Sequence, residues 1–345
     1  MFADELDYVI GVDSHRDRHA LGVVQASGVV AAEAELSASS GGYRQALRFA
    51  KERAPGRRVW AIEGTGSYGA GLARFLAGRG ERVVEVERPK RSGSRGRLKT
   101  DRLDALRAAR QLLAGEPLAT PRQGGKRESL RALLATREGA VAAKRAGLCQ
   151  LRALLVVLPE PLRGELRPLA RAALLRRCAQ MRPNSESDAY GQLLALRACA
   201  RRVLALTQEA AELEQAIHSQ VQQLAPSLLN KPGIGPISAA QLLTSWSHHG
   251  RITKEASFAR LAGVAPIPAS SGNTTRHRLD RGGDRQLNRA LHTIIINRRK
   301  TDPATIAYIQ RRQREGKTSR EAIRCLKRYL ARNLYRHLEG LPQHT

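Results

Sequence analysis

Tyr8-Val9-Ile10-Gly11-Val12-Asp13 is a short apolar, β-branched run that ends on a carboxylate. Ala20-Leu21-Gly22-Val23-Val24 and Val29-Val30-Ala31-Ala32 follow, and Ala26-Ser27-Gly28 separates those two. Apolar runs with turn residues between them predict a three-strand meander. Residues 41–50, GGYRQALRFA, then carry helical spacing. Arg58-Val59-Trp60-Ala61-Ile62 is another buried-strand run, and it ends at Glu63. Gly64-Thr65-Gly66-Ser67 turns into a helix, SYGAGLARFLAGRG, stopped by its glycines. Arg82-Val83-Val84-Glu85-Val86 is a fifth strand. Lys99-Thr100-Asp101-Arg102-Leu103-Asp104-Ala105 then opens the helical run KTDRLDALRAARQLLAG.

Three strands, helix, strand, helix, strand, helix is the order of the ribonuclease-H-like (RuvC-like) fold, which many nucleases and transposases share. The fold class expected is therefore α/β at the N-terminus with mostly helical structure after it. Asp13 ends the first strand and Glu63 the fourth; where those strands are neighbours, their carboxylates converge at one sheet edge. Asp101 and Asp104 stand three apart on a helix, one above the other on one face. Four acids so placed suit two Mg²⁺ ions about 3.5–4 Å apart, clamping the attacking and leaving oxygens of a phosphodiester. Each acid alone reads as a turn residue, a cap or a complement to the helix dipole; their combination in this chain order favours the metal. Asp17 reads as a surface residue. His15 and His19 form an HxxxH pair, but they follow a strand and lack a nearby Glu base, which argues against zinc. Gly64-Thr65-Gly66 lacks the Lys-Ser/Thr of a phosphate loop and reads as a tight turn.

The chain has 345 residues, room for two or three domains, and a net charge of +28. Over residues 1–65 nine Asp/Glu face eight Lys/Arg, so the basic excess lies beyond them. Such an excess points to nucleic acid. With aromatics at 4%, phosphate contact by arginine is expected rather than base stacking. Arg95, Arg97 and Lys99, in the basic stretch RPKRSGSRGRLK before the acidic helix, are candidate phosphate contacts. No apolar run is long enough to span a membrane, no amphipathic basic helix lies at a terminus, and the N-terminus lacks a signal-peptide pattern. Four cysteines stand singly, without a CxxC pair, so a cytoplasmic protein with reduced thiols is expected.

Pro117, Pro121 and Gly124-Gly125 mark a linker. Residues 126–158 hold no proline, and Leu134, Val141, Leu148 and Leu155 recur every seven residues. Leu130, Leu151 and Leu158 fill part of a second stripe that Arg137 and Lys144 interrupt, which suggests a partly polar contact or a phosphate-facing edge. In residues 184–225 Leu196, Val203, Ala210, Ile217 and Leu224 repeat at the same interval, with Cys199, Leu206 and Leu213 beside them. These read as coiled-coil seams, paired within one chain or between chains. Pro232-Gly233-Ile234-Gly235-Pro236 opens a stretch resembling a helix-hairpin-helix turn, which touches a nucleic-acid backbone or packs within its own domain. Leu261-Ala262-Gly263-Val264-Ala265-Pro266 leads to Ser270-Ser271-Gly272-Asn273, followed by Arg276, His277, Arg278 and Arg281. A serine before glycine is usually a turn residue; the basic surroundings also allow a hydroxyl nucleophile facing a phosphate. The expected division is 1–122, 123–226 and 227–345.

Taken in order, GVDSH, AIEGTGSY, KTDRLDA, PGIGPxxAxxL, LAGVAP, the Ser-Gly loop and RGGDRQLNRAL resemble the DEDD transposases of the insertion-sequence-110 family, over nearly the whole chain. The resemblance implies a RuvC-like catalytic domain, a coiled coil and a C-terminal transposase domain with a catalytic serine. Asp13, Glu63, Asp101 and Asp104 match the family's acidic tetrad, and Ser271 matches its nucleophile, with Ser270 as the alternative. The implied activity is recombination of donor and target double-stranded DNA. It runs through a covalent phosphoserine, with Mg²⁺ at the tetrad, a structured noncoding bridge RNA as guide and a homotetramer as the assembly. A RuvC-like nuclease or junction resolvase without a covalent intermediate is the competing reading.

Overall fold

A computed structural model of the chain describes residues 5–86, 101–114, 120–122, 124–268, 277–278 and 282–342. The chain divides into two compact units: Met1–Gly124 with Ser247–Lys254, and Gly125–Trp246 with Glu255–Thr345.

The first unit runs β1 (Tyr8–Ser14), β2 (Arg18–Gln25), β3 (Val30–Ser37), α1 (Ser40–Arg53), β4 (Arg58–Glu63), α2 (Ala70–Ala77), β5 (Arg82–Val86) and α3 (Asp101–Leu113). Its five strands form one mixed sheet in the order β3-β2-β1-β4-β5. β1 pairs antiparallel with β2 and parallel with β4. This mixed α/β sheet fits the ribonuclease-H-like class. β1 and β4 are central because their side chains are apolar on both faces. Ile10, Val12, Trp60 and Ile62 pack toward Ala46, Ala50, Leu72 and Leu76 on one side. Val9, Val59 and Ala61 pack with Leu106, Ala109 and Leu112 of α3 on the other. The edge strand β3 alternates between exposed and half-buried positions, as a strand covered on one face does.

Helix α3 lies against the sheet with almost no gap. A Cβ built on Gly11 of β1 would stand 1.9 Å from the Ala105 carbonyl oxygen and 2.7 Å from the Ala109 nitrogen. One on Gly22 of β2 would stand 2.6 Å from Leu106 Cδ2. Two strand glycines thus form the seat of the helix that carries Asp101 and Asp104. At the far end of β4, Glu81 accepts from Trp60 Nε1 and Arg58 Nε, each at 2.9 Å. That arrangement satisfies the indole N–H of a fully buried tryptophan. The segment 247–254 packs with this unit, where Arg251 pairs with Glu85 at 3.7 Å and Ile252 is buried.

The second unit holds α4 (Lys126–Val156), α5 (Glu160–Leu166), α6 (Arg171–Ala179), α7 (Tyr190–Leu224), α8 (Pro226–Leu229), α9 (Pro236–Trp246), α10 (Glu255–Leu261), β6 (Ile267–Pro268), β7 (His277–Arg278), α11 (Arg285–Thr301), α12 (Pro303–Arg314) and α13 (Ser319–Glu339). The long helices α4 and α7 pack on each other. On α7 the buried positions include Leu196, Val203, Ala210, Ile217 and Leu224. On α4 they are Leu130, Ala140, Gly147 and Leu151, while Leu134, Val141, Leu148 and Leu155 are half-buried. Small residues explain the offset: a Cβ on Gly147 would stand 2.8 Å from Val203 Cγ2, and Cys199 Sγ donates to the Gly147 carbonyl at 3.1 Å. Arg137 donates to Glu214 of α7 from Nη2 at 2.6 Å, so its interruption of the stripe is a polar contact between the two helices. Leu166, Leu175 and Cys178 of α5 and α6 close over Leu151, Leu196 and Val203.

At the turn between α8 and α9, Gly233 has φ +75°, and a Cβ there would stand 2.8 Å from the Ile294 carbonyl oxygen of α11. Arg298 Nε donates to the Pro232 carbonyl at 2.8 Å. That turn therefore packs within its own unit. Trp246 is fully buried and its Nε1 donates to Glu339 Oε1 at 2.6 Å.

Replacing Gly11 by alanine is expected to lower the unfolding free energy by about 3 kcal/mol, because helix and sheet backbones must separate to admit the methyl group. Gly41→Ala, at an uncrowded position of α1, changes it by less than about 1 kcal/mol. Urea titration of both variants against the parent measures the difference.

Candidate active site

Asp13 is the penultimate residue of β1, and Glu63 is the last of β4, its parallel neighbour. Both follow the parity of the residues that face α3, because side chains alternate along a strand. Ser14 Oγ donates to the Glu63 carbonyl oxygen at 2.7 Å and pins the two strand ends together. The turn to β2 is closed by His15 N–H, which donates to the Arg18 carbonyl at 3.0 Å. That turn presents the imidazole to the acids. His15 Nε2 lies 3.1 Å from Asp13 Oδ2 and 3.4 Å from Asp101 Oδ1. The ligand atoms of Asp13, His15 and Asp101 all lie within 4.8 Å of one another. One turn further along α3, Asp104 accepts from Arg107 Nη1 at 2.6 Å.

Asp13 is 6% exposed, whereas His15 and Asp101 are open to solvent. Burial holds the Asp13 carboxyl above its ordinary range, the His15 imidazole draws it down, and the Glu63 and Asp104 carboxylates push it up again. Those two acids act on Asp13 by charge, while the ligand-atom cluster found among the described residues holds Asp13, His15 and Asp101 without them. Like charges gathered around a buried carboxylate are unfavourable without a cation. The donor set, carboxylate oxygens with one imidazole nitrogen, suits a hard or borderline divalent metal.

The HxxxH pair of His15 and His19, without a nearby Glu base, argues against zinc, and the structure puts the two histidines in different surroundings. His19 is buried on the opposite face of the sheet and stacks on Tyr43, ring centroids 5.8 Å apart. Asp17 is exposed and pairs with Arg16 at 2.9 Å. Gly64, at φ +72°, makes the turn that follows Glu63.

Ser270, Ser271, Arg276 and Arg281 lie outside the described residues, as do Arg95, Arg97 and Lys99. Arg278 is exposed on β7. The strands that bracket residues 269–276 pair antiparallel, Ile267 with Arg278 and Pro268 with His277. Residues of the RGGDRQLNRAL motif bond to the LAG turn that precedes β6. Asp284 N–H donates to the Leu261 carbonyl at 2.6 Å, and its carboxylate caps α11 by accepting from Gln286 and Leu287 N–H and from Ser245 Oγ. Asn288 Nδ2 donates to the Ala262 carbonyl at 2.7 Å, and Lys327 Nζ donates to Asn288 Oδ1 at 2.9 Å. The motif therefore ties itself to the LAG turn. Gly-Gly-Asp before a helical run is a legible cap signal.

Two family profiles match the chain. One, a DEDD transposase profile of the IS110 type described as "Transposase", covers residues 10–158. The other, described as "Transposase IS116/IS110/IS902 family", covers residues 225–310. The chain belongs to the insertion-sequence-110 family of DEDD transposases. It is 32% identical over 127 residues to the 43.6 kDa protein of insertion element IS110 from Streptomyces coelicolor, covering 36% of this chain and 31% of the relative. It is 33% identical over 147 residues to the 42 kDa protein of insertion element IS900 from Mycobacterium paratuberculosis, covering 40% and 36%. The y4qE protein of Sinorhizobium fredii is 25% identical over 279 residues, 79% of this chain and 67% of that one. The matches thus span about a third of the length of the first two relatives. In a DEDD transposase the acidic cluster points to a divalent metal. No helix among the described residues of this transposase is long and apolar enough to cross a membrane.

Two measurements follow from the geometry. Because the folded-state pKa of Asp13 is raised above 3.8, its favourable contribution is complete below that value and is lost as pH rises through the folded pKa. Asp13→Asn should therefore raise the melting temperature of the metal-free protein at neutral pH, with the gain vanishing as pH falls toward 3.8. Asp284→Ala should cost about 1–2 kcal/mol of stability in urea, the value of a helix N-cap.

Proposed function

We propose that this chain is a DNA recombinase of an insertion sequence. It cuts and rejoins donor and target DNA through a covalent bond to Ser271, with Asp13, Glu63, Asp101 and Asp104 holding Mg²⁺. The observation that carries the reading is the gathering of Asp13, His15 and Asp101 at the sheet edge, with Glu63 and Asp104 acting on Asp13 by charge, in a member of the DEDD transposase family.

In this mechanism the Ser271 hydroxyl attacks the scissile phosphorus in line and loses its proton. The bond to the 3′ oxygen breaks, and that oxygen takes up a proton as the free 3′-hydroxyl. After strand exchange a 3′-hydroxyl attacks the phosphoserine, reseals the DNA and releases the serine. The phosphodiester bond energy is conserved in the linkage, so no nucleotide triphosphate is needed. When bound, Mg²⁺ stabilises charge developing on the phosphate oxygens. Arg276, Arg278 and Arg281 neutralise the phosphates flanking Ser271, and Arg95, Arg97 and Lys99 do so before the acidic helix.

The net charge of +28 matches a chain that holds two DNA duplexes and a structured noncoding bridge RNA. The α4–α7 pair acts as a coiled coil, the turn at Gly233 as a helix-hairpin-helix-like element, and the working assembly is a tetramer in the cytoplasm. The functional parts are residues 1–122, 123–226 and 227–345.

The test is a trapping experiment with the element's own end DNA, its flanking RNA and Mg²⁺. Denaturing electrophoresis should reveal a DNA-shifted protein band that Ser271→Ala abolishes and Asp101→Ala reduces at least about 100-fold. Cut DNA without an adduct, indifferent to Ser271→Ala and lost in Asp101→Ala, would mean a hydrolytic RuvC-like nuclease instead.

A further inference from the structure

The acidic tetrad leaves one neighbour unexplained. His15 belongs to none of the four acids, yet its Nε2 is the atom on which Asp13 and Asp101 converge, at 3.1 and 3.4 Å. We propose that His15 is a direct metal ligand, so that one of the two cation positions has a mixed nitrogen and oxygen donor set. This rests on the reading of the acids as a metal site and adds a residue to it.

The spacing supports it. A six-coordinate ion of this size binds its ligands at about 2.0–2.1 Å, which sets adjacent ligand atoms about 3 Å apart. The 3.1 Å to Asp13 is close to that edge, and the 3.4 Å to Asp101 needs only a few tenths of an ångström of closure by an exposed side chain. The group also reaches the site from a fixed position. The His15 N–H bond to the Arg18 carbonyl closes the β1–β2 turn, and the Ser14 bond to Glu63 fixes the strand end one residue earlier. These bonds place the His15 backbone, and the contact of Nε2 with Asp13 Oδ2 at 3.1 Å holds the ring without any ion. His15 is solvent-accessible while Asp13 is buried, so an ion arriving from outside meets the nitrogen and the Asp101 oxygen first. With the proton on Nδ1, Nε2 offers a lone pair to the ion.

The chemical consequence is selectivity. A nitrogen donor favours Mn²⁺ over Mg²⁺ more than an all-oxygen site does, because imidazole suits transition metals and Mg²⁺ prefers oxygen and water. A purely hydrogen-bonding His15 carries no such preference.

The full chain is titrated with Mn²⁺ and followed by electron paramagnetic resonance, with electron spin echo modulation to detect a coordinated nitrogen. In the parent protein, bound Mn²⁺ should display nitrogen modulation. In His15→Ala the ion should bind about tenfold more weakly and without modulation, while Mg²⁺, measured by competition, weakens less than about threefold. His15→Asp should retain Mn²⁺ without modulation and shift the preference toward Mg²⁺. Far-ultraviolet circular dichroism checks that each variant is folded, as a half-exposed turn position allows. Mn²⁺ that binds the parent without nitrogen modulation, and is lost in Asp13→Asn, would overturn the proposal and leave the tetrad standing. A parent protein with no Mn²⁺ binding sensitive to Asp13→Asn would overturn the tetrad reading as well.

Discussion

The seating of α3 on Gly11 and Gly22 is the constraint on which the acidic site depends. Any side chain at Gly11 would meet the helix backbone rather than a flexible side chain that can move aside. The close approach sets the height of Asp101 and Asp104 above the ends of β1 and β4. It also has to be held against electrostatics, since the helix brings acids toward a buried carboxylate. Apolar contact supplies that hold. Leu106, Ala109 and Leu112 of α3 are buried against Val9, Val59 and Ala61, and each large aliphatic side chain contributes about 1.5–3 kcal/mol.

Charge is distributed in this chain so that attraction and chemistry are separate problems. Asp13 and Asp101 sit together with His15 at one sheet edge, in a chain whose net charge is +28. Clustered carboxylates repel a phosphodiester, and a cation removes the repulsion at the point of reaction. In the proposed function the basic remainder of the chain supplies affinity, which falls steeply with salt, while the acidic edge supplies metal-dependent reactivity. In the metal-free protein Asp104 pairs with Arg107, and Asp13 and Asp101 lie against His15.

Much of the first unit was legible because its signals are local. Strand runs ending on Asp13 and Glu63, with turn residues between them, give the element order directly, and neighbouring parallel strands then place both acids at one edge. The start of α3 was visible in Asp101 and Asp104, whose charge complements a helix N-terminus. What was not legible depends on contacts distant in sequence or on backbone geometry. His15 joins the acids because one hydrogen bond shapes its turn, and no spacing rule encodes that. The interruption at Arg137 suggests a partly polar contact or a phosphate-facing edge, and only the fold identifies the partner as Glu214, 77 residues away. On α4 the closest approach uses Ala140 and Gly147, residues that an apolar pattern passes over in favour of leucine. The Asp284 cap is legible in the sequence, whereas the ties of Asn288 to the Ala262 carbonyl and to Lys327 need the fold to be seen.

The first unit is discontinuous: its last piece, Ser247–Lys254, follows more than a hundred residues of the second unit. A ribosome therefore releases the sheet, with all four acids, well before it releases the segment that completes their unit. Until then Glu85 has no Arg251 beside it. The nascent sheet must wait, partly uncovered, while the long helices are made. Completion of the acidic unit is thereby tied to the order of synthesis, and a protein cut short before residue 247 leaves its first unit unfinished.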